Sequence, residues 1–350
     1  MAQVKTLRPG VFSQYTVTPL YRSGQSARYG AVAAPCSLTA GQWFASWGEA
    51  AAALPQTGDL EMREAIRILF GMGVPRVYGL PVKASPTLTE AQTALAPLAQ
   101  LENLGAVVCA LPGEALPAIK TLAHGQAEKQ KEWIAYCGAA DPEEAEEAAG
   151  QLQSERVVLC CPAAVPAAAP EEDASALYTA AALAGTVLAQ EDPAATLSGA
   201  EMDGLAGLGT PLTDQQVEDL LAGGVTPFET RGTAVECIRA VTTRTETGGQ
   251  PDRTFLPLGT IRIIDQVMQS LREGLKGMLG SARGTRDGYD GIASQVTVIL
   301  QEKTDEGLLT GFEPPIVSAD SQDPTVCRVE VAFGVAYAVN QIHLEAQIVV

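Results

Sequence analysis

Between residues 60 and 161 the hydrophobic positions follow two patterns in turn. Apolar residues spaced three or four apart, as in 61–70, indicate helices with one buried face. Short continuous apolar runs, as in 106–111 and 156–161, indicate strands that are buried on both faces. Strands that alternate with helices predict a right-handed, mostly parallel α/β sheet. The other members of this series are extended segments at 74–82 and 133–137 and helices near 87–104, 115–131 and 174–189.

Capping signals indicate where two of these helices begin. Thr87 and Glu90 have the spacing of a capping box, and Gly105 suits the position just after the end of the same helix. Asp141 is a favoured N-cap residue, and Pro142 after it suits the first helical turn. We therefore expect one helix from Thr87 to the residue before Gly105 and another that begins after Asp141.

The segment from 162 to 230 has weaker patterns. Residues 162–173 are rich in Ala and Pro and predict an exposed connection. Residues 190–230 are rich in Gly, Pro and acidic residues and predict only a short helix near 214–221. The glycine-rich run from 204 to 209 follows no predicted strand, so we expect a plain loop there.

In the last third of the chain the pattern changes to two amphipathic helices followed by an alternating segment. Residues 261–279 and 290–306 have the apolar stripe of amphipathic helices. After them, residues 328–339 alternate apolar and smaller or polar side chains, which predicts a strand with one buried face. The apolar positions of that strand include Val329, Val331, Phe333 and Val335.

Both ends of the chain also resemble strands. Residues 11–18 are rich in strand formers and residues 341–350 alternate with period 2, but neither segment has a hairpin partner nearby in sequence. Strand addition to the sheet edge of a neighbouring subunit satisfies such segments, so we expect them to pair beside the 328–339 strand of another copy. The apolar residues of these two arms are Val11, Phe12, Tyr15, Val17, Ile342, Leu344, Ile348 and Val350.

Composition excludes several classes of protein. The chain of 350 residues has no apolar run long enough for a membrane helix and no signal-peptide pattern at its start, and its seven cysteines contain no CxxC pair. A net charge of −18 disfavours direct nucleic-acid binding. The charge is uneven: residues 1–89 carry +4, residues 90–230 carry −18 and residues 231–350 carry −4.

A search for catalytic, cofactor or metal sites finds none in the sequence. No strand end carries GxGxxG, no Gly-Lys dipeptide exists for a phosphate loop, and the two histidines, His124 and His343, stand alone. Cys160 and Cys161 point to opposite faces of a strand, and the glutamates of 143–147 suit a solvated helix face. The aromatic residues of 43–47 favour core packing over ligand stacking. We expect no enzyme activity, no cofactor and no metal.

At this point the chain resembles the contractile tail sheath proteins of myophages, prophages and related phage-tail-like particles. The opening residues 8–17 (Arg-Pro-Gly-Val-Phe-Ser-Gln-Tyr-Thr-Val) and the helix, glycine turn and strand of 65–78 are similar to that family. The C-terminal order of helix, helix, strand and terminal strand also fits. Further matching segments lie at 180–185, 192–194, 212–225 and 241–245.

The resemblance implies a structural subunit that polymerises helically around a tail tube in a metastable extended state. Contraction then drives the tube through the target cell envelope, in a phage or, alternatively, in a headless bacteriocin or injection particle. The implied partners are further copies of the chain, the tail tube protein, and the baseplate and tail terminator proteins, without direct nucleic-acid contact or membrane insertion. Assembly is expected in the bacterial cytoplasm, and the product is a virion tail or a released phage-tail-like particle.

The expected fold class is α/β, or α+β overall, in four parts. Residues 1–29 form an N-terminal arm, 30–230 an outward-facing acidic α/β domain of parallel type, and 231–340 a tube-facing core of two helices and a β-sheet. Residues 341–350 form a C-terminal arm, and exchanged terminal strands complete the sheet. Because 231–286 carries a local charge of +4, it is expected to face the tube. The residues proposed for that face are Arg272, Lys276, Arg283 and Arg286.

Two other classes of function stay open at this point. An α/β enzyme with an unrecognised site would purify as a small closed oligomer, whereas a sheath protein would form long rods. A monomeric binding module would tolerate deletion of its terminal strands.

Overall fold

The computed structural model describes residues 28–171, 173–323, 325–340 and 342–347. The strands are β1 (Tyr29–Ala34), β2 (Gln42–Phe44), β3 (Val77–Pro81), β4 (Leu104–Cys109), β5 (Ile134–Gly138), β6 (Val157–Cys161), β7 (Ala164–Pro166), β8 (Ala200–Glu201), β9 (Leu205–Leu208), β10 (Val225–Arg231), β11 (Ala234–Cys237), β12 (Glu246–Thr247), β13 (Gln250–Pro251), β14 (Leu309–Phe312), β15 (Ile316–Ala319), β16 (Cys327–Glu330) and β17 (Phe333–Val335). The helices are α1 (Trp47–Ala53), α2 (Leu60–Gly71), α3 (Leu88–Leu95), α4 (Leu116–Ala127), α5 (Pro142–Leu152), α6 (Ala176–Ala189), α7 (Asp214–Gly223), α8 (Leu258–Lys276) and α9 (Arg286–Asp305).

A nine-stranded sheet lies at the centre of the molecule, with the strand order β2-β3-β1-β4-β5-β6-β10-β11-β8. The strands from β3 to β10 in this order are parallel. β2 joins one edge in antiparallel pairing, and β11 and β8 extend the other edge in the same way. The predicted α/β class with a largely parallel sheet is therefore confirmed.

Helices cover both faces of this sheet. On one face, Ile66 of α2 and Leu183 of α6 share a buried cluster with Val108 of β4. On the other face, Ile119 of α4 shares a second buried cluster with Val107, the preceding residue of the same strand. Successive residues of a strand point to opposite faces, which is why one apolar strand contributes to two cores. Cys160 and Cys161 are divided between the two clusters in the same way, as predicted.

The capping interactions predicted for two helices are present. The hydroxyl of Thr87 accepts a hydrogen bond from the Glu90 N–H at 3.4 Å, and the Glu90 carboxylate accepts one from the Thr87 N–H at 3.1 Å. The Asp141 carboxylate accepts from the N–H groups of Glu143 and Glu144 at 2.9 and 3.2 Å. Side chains thus satisfy N–H groups that have no partner inside the first helical turn.

The predicted end of the first of these helices is wrong. α3 ends at Leu95, and a 3₁₀ turn follows over Ala96–Gln100, because Pro97 has no N–H with which to continue the α-helical bonds. Gly105 does not cap the helix but lies inside β4. A Cβ there would lie 2.7 Å from Cδ2 of Leu188, so the close packing of α6 on the strand requires glycine.

Two segments predicted as loops contain strands. Residues 162–173 were expected to be exposed, yet Ala164 is fully buried in β7, which pairs with β9. β9 occupies the glycine-rich run 204–209, so the prediction of a plain loop there is also wrong. The two strands, Ala-Val-Pro and Leu-Ala-Gly-Leu, are too short to show a detectable alternation, and each becomes a strand because the other lies beside it.

The segment 190–230 likewise contains more than a short helix. Besides α7, it holds β8, β9 and most of β10, and β10 continues the parallel sheet beside β6. The predicted boundary between residues 230 and 231 lies inside β10, and β11 still belongs to the same sheet. The chain therefore leaves the central sheet only after Cys237.

The helices α8 and α9 and the strands β14 to β17 form a second unit, which we call the C-terminal unit. α8 and α9 match the two predicted amphipathic helices, with their starts shifted by three and four residues towards the N-terminus. Val267 of α8 and Val296 of α9 lie in a third buried cluster, separate from the two clusters of the central sheet. β14 to β17 cover one side of this cluster.

Candidate subunit-contact surfaces

β14 to β17 form one bent, two-stranded ribbon. β14 pairs with β17 and β15 pairs with β16, both antiparallel, and between the two pairs the Glu313 N–H donates to the Ala332 carbonyl at 2.9 Å. Pro314 and Pro315 separate β14 from β15 and supply no N–H to the ladder. The continuous strand predicted at 328–339 is for this reason two short strands that end at Val335.

The four apolar residues predicted for the acceptor strand lie on one face of this ribbon. They contribute to the third cluster, while Arg328 and Glu330 between them are exposed. All four are nevertheless only half-buried. Within the described residues, no further strand pairs with either edge of the ribbon, so its outward N–H and C=O groups are available to another strand. The four residues are Val329, Val331, Phe333 and Val335.

The chain after the ribbon is exposed and apolar. Val339 is 73% exposed, Ile342 is 86% exposed and Leu344 is 89% exposed, and no strand covers the described residues 342–347 of this isolated chain. Single exposed apolar residues are ordinary, but a series of them in one segment marks an interaction surface. The other arm residues, Val11, Phe12, Tyr15, Val17, Ile348 and Val350, lie outside the described residues.

The four basic residues predicted to face a tube do not share one environment. Arg272 is half-buried, and its guanidinium donates to the carboxylate of Glu132 at 2.8 Å. Lys276 and Arg283 are exposed, and neither has an ion-pair partner among the described residues. Arg286 is exposed and lies 3.9 Å from Asp290. Lys276 and Arg283 are therefore available to another molecule without loss of an ion pair among the described residues, and Arg286 would give up only its exposed contact with Asp290.

α8 joins the C-terminal unit to the central sheet through a buried ion pair. Arg156, at the start of β6, donates through both terminal nitrogens to the two carboxylate oxygens of Asp265, at 2.9 and 2.8 Å. The two residues are 7% and 4% exposed. They are 109 positions apart, and no local sequence pattern could have paired them. Arg272 and Glu132 add a second ion pair on the same side of α8.

The other candidates from the sequence have structural roles. Trp43 packs edge-on against Tyr29 and Tyr78, with ring centroids 5.4 and 5.2 Å apart. The Arg63 guanidinium covers the ring of Trp47 at 5.0 Å. Neither tryptophan lines an open stacking surface of the kind that a ligand would need.

Two further kinds of site are absent from the described residues. In the described ranges, no three His, Cys, Asp or Glu side chains are arranged to hold a metal ion. Among the same residues, no helix combines the length and the apolar character needed to cross a bilayer.

One family model matches the central region of the chain. Residues 89–243 match the family model described as the phage tail sheath protein central domain. This match includes the strands of the central sheet from β4 to β11 and ends near the point where the chain leaves that sheet. A search of curated proteins finds no match.

Solved structures with the same fold cover almost the whole chain. A chain of the anti-feeding prophage baseplate aligns with a TM-score of 0.70 at 14% identity, over 99% of this chain and all of that one. A chain of the contracted anti-feeding prophage helical sheath aligns with a TM-score of 0.68 at 13% identity, over 98% and 99% of the two chains. The sheath tail protein of Desulfitobacterium hafniense aligns with a TM-score of 0.64 at 11% identity, over 93% and 100%.

These matches confirm the resemblance to tail sheath proteins that the sequence indicated. The described part of the chain has the fold of these sheath proteins, and residues 89–243 match the model of their central domain. The family model that matches describes a tail sheath protein, and such proteins are structural rather than enzymatic.

Proposed function

We propose that this chain, with the phage tail sheath central domain at residues 89–243, is the sheath subunit of a contractile tail or injection particle. Copies polymerise helically around a tail tube in an extended state, and contraction drives the tube through a cell envelope. The sheath attaches to a baseplate at one end and to a terminator protein at the other. Assembly takes place in the bacterial cytoplasm, and the product is a virion tail or a released particle.

The observation that supports polymerisation most directly is the unfinished state of the C-terminal unit. Its ribbon has two strands and half-buried apolar residues, whereas an isolated two-stranded sheet needs further strands or packing to be stable. Tyr337, Val339, Ile342 and Leu344, which follow the ribbon in the chain, are exposed apolar residues that could form a further strand. Exchange of the 11–18 and 341–350 arms between copies would add strands to the ribbon. It would also bury the exposed apolar residues of the tail.

Such an exchange joins different surfaces on the two copies. A contact of this kind is heterologous, and a heterologous contact that does not close on itself produces a helical filament. The domain division follows from the same proposal: arms at 1–29 and 341–350, an acidic domain facing outwards, and the C-terminal unit facing the tube.

Electron microscopy of the purified full-length protein, with and without its tube protein, tests the proposal. We expect long rods from the intact chain. We also expect a chain that lacks residues 341–350 to stay folded and monomeric, because it keeps every described helix and strand. Rods from the truncated chain would contradict the arm exchange. A small closed oligomer from the intact chain would favour an enzyme instead.

Point substitutions in the tail test whether its apolar side chains, rather than its length, are needed for rod formation. The double variant Ile342→Ser/Leu344→Ser should abolish rods, because both side chains are exposed in the isolated subunit and available to pack on a neighbour. Gln347→Ser, in the same exposed tail, should leave rods unchanged. Circular dichroism of both proteins should match that of the original chain.

The tube-facing surface needs variants that leave the fold intact. Reversal of Lys276 and Arg283 to Glu should weaken assembly on the tube, because each exposed pair contributes about 0–1 kcal/mol and the loss is repeated on every subunit. Arg272→Glu should be studied separately, since it also removes the contact with Glu132. If Lys276→Glu/Arg283→Glu assembles on the tube like the original chain, the tube lies against another surface.

A further inference from the structure

A small cavity lies where the C-terminal unit meets the central sheet. Its walls are the loop 194–198, the residues 239–240 after β11, the first turn of α8 and the start of the tail at 336–340. Its volume is about 40 Å³. Because one water needs roughly 10–15 Å³ measured in this way, the cavity has room for one small group such as a carboxylate.

The first turn of α8 presents one unsatisfied N–H group at this cavity, since the Leu258 N–H donates to Ala240 and the Thr260 N–H donates to Pro257. α8 has 19 residues, and its N-cap residue is Pro257, whose side chain makes no capping bond. The N–H of Gly259 has no hydrogen-bond partner within the described residues. An uncapped helix N-terminus carries a partial positive charge and N–H groups that suit an anion.

A buried hydroxyl in the same turn points to a ligand independently. Thr260 lines the cavity and is only 3% exposed, yet its hydroxyl oxygen makes no hydrogen bond to any described residue. Burial of a hydroxyl without a partner destabilises a protein, so such groups are rare unless a water or ligand completes them.

Two arginines supply positive charge to the same cavity. The Nε–H of Arg239 is buried and has no partner in the described part of the chain. Arg262, also in the lining, donates to the Gln190 side chain at 2.9 Å and has no ion-pair partner among the described residues. Burial lowers the pKa of Arg239, and the nearby charge of Arg253 lowers it further.

The cavity has no acidic residue in its lining, although the whole chain carries a net charge of −18. We propose that it is a carboxylate-binding site in which Arg239, the Thr260 hydroxyl and the first turn of α8 donate hydrogen bonds to the two oxygens. The carboxylate comes either from a small free anion or from an acidic side chain of a second copy of this chain. Both sources offer the same planar, two-oxygen acceptor that guanidinium groups bind well.

Acetate is a suitable probe for the isolated subunit. Its effect on the melting temperature is measured against chloride at equal ionic strength, and the dissociation constant is obtained by titration. We expect acetate to stabilise the original chain and Lys129→Gln, which removes an exposed cation far from the cavity in sequence. Arg239→Gln should bind acetate at least tenfold more weakly.

Thr260→Val keeps the proposal testable if Arg239→Gln does not fold. Valine has nearly the shape of threonine but no hydroxyl, so this variant should melt at a higher temperature without acetate and bind acetate about three- to tenfold more weakly. Equal acetate binding by the original chain, Arg239→Gln and Thr260→Val would overturn the proposal. Absence of any acetate effect beyond that of chloride would overturn it as well.

Rod formation then distinguishes the two sources of the carboxylate. If a second copy supplies it, Arg239→Gln should form fewer rods than Lys129→Gln, and acetate should reduce rod formation by the original chain. If acetate binds but rods form equally in all these cases, a free anion is the occupant. The acetate titration needs no polymer, so failure of the proposed sheath function would leave this measurement intact.

Discussion

The central sheet and the C-terminal unit differ in how completely they bury their own apolar residues. Among the described residues, the cluster beside α3 to α5 contains thirty buried residues and five that are only partly buried. The cluster of the C-terminal unit contains nine buried residues and ten that are partly buried. The first region therefore forms a complete core from its own chain, whereas the second leaves half of its core side chains partly in water.

This difference has a physical cause in the arrangement of the strands. Each strand of the parallel series has a neighbouring strand on both sides and helices over its faces, so most of its residues are buried, although β10 ends in the exposed residues Thr230 and Arg231. The ribbon has a helical layer on one face only and two unpaired edges in the described part of the chain. A region that is complete by itself can act as a rigid body, and a region that is incomplete can bind another copy of the chain.

The largest expected effect is at the joint between the two regions. Asp265→Ala leaves Arg156 buried without its partner, and we expect a loss of about 3–5 kcal/mol in the free energy of unfolding. Urea unfolding measures the loss. Asp290→Ala, which removes only an exposed contact with Arg286, should cost less than about 1 kcal/mol.

The double variant Arg156→Met/Asp265→Leu separates charge from packing at the same joint. It should regain most of the loss, because apolar residues of similar volume can replace a buried ion pair. A double variant as unstable as Asp265→Ala would mean that the specific hydrogen bonds, rather than the unpaired charge, decide the stability of the joint.

A matched pair of valines compares the two cores directly. Val158→Ala, at a fully buried site in β6, should cost roughly 2 kcal/mol, because it removes two methyl groups and leaves a cavity. Val329→Ala, at a half-buried site in β16, should cost less than about 1 kcal/mol in the isolated subunit. Urea unfolding of the two proteins gives the difference, and equal losses would show that the ribbon is already a complete core.

The smallest expected effect is a pH dependence in the central region. Burial lowers the pKa of His124, and the nearby cations Arg156, Lys120 and Arg244 act in the same direction against the opposing charge of Glu155. The unfolded chain therefore binds more protons than the folded chain, so stability should be complete above about pH 6.5 and fall as the pH drops below it.

Glutamine substitutions at the two histidines check this origin. His124→Gln should flatten the decrease in unfolding free energy between pH 7 and pH 5, whereas His343→Gln, in the exposed tail, should leave it unchanged. An unaltered decrease in His124→Gln would assign the pH dependence to other groups.

Local sequence was sufficient for much of the central region. The capping box of Thr87 and Glu90, the N-cap at Asp141 and the opposite orientation of Cys160 and Cys161 depend on residues within a few positions of one another. The same holds for α8, whose apolar stripe repeats along one helix. Signals of this kind act within one or two helical turns or along one strand, so the residues alone carry them.

The short strands and the polar contacts between the two regions needed the tertiary structure. β9 consists of Leu, Ala, Gly and Leu, and it becomes a strand because β7 lies beside it. The predicted strand 328–339 is interrupted because Pro314 and Pro315 lie opposite it, about fifteen residues earlier in the chain. In each case the deciding partner is distant in sequence, and its position depends on the packing of the whole chain.

The sequence by itself determined the class of fold and the order of its main helices and strands. Only the tertiary structure decided that Arg272 pairs with Glu132, that Arg156 meets Asp265, and that Arg239 and Thr260 line one cavity without side-chain partners among the described residues. Hydrophobic periodicity and helix capping depend on residues close together in sequence, so they can be recognised from the sequence alone. Ion pairs, cavities and sheet edges are formed by residues that only the folded backbone brings together.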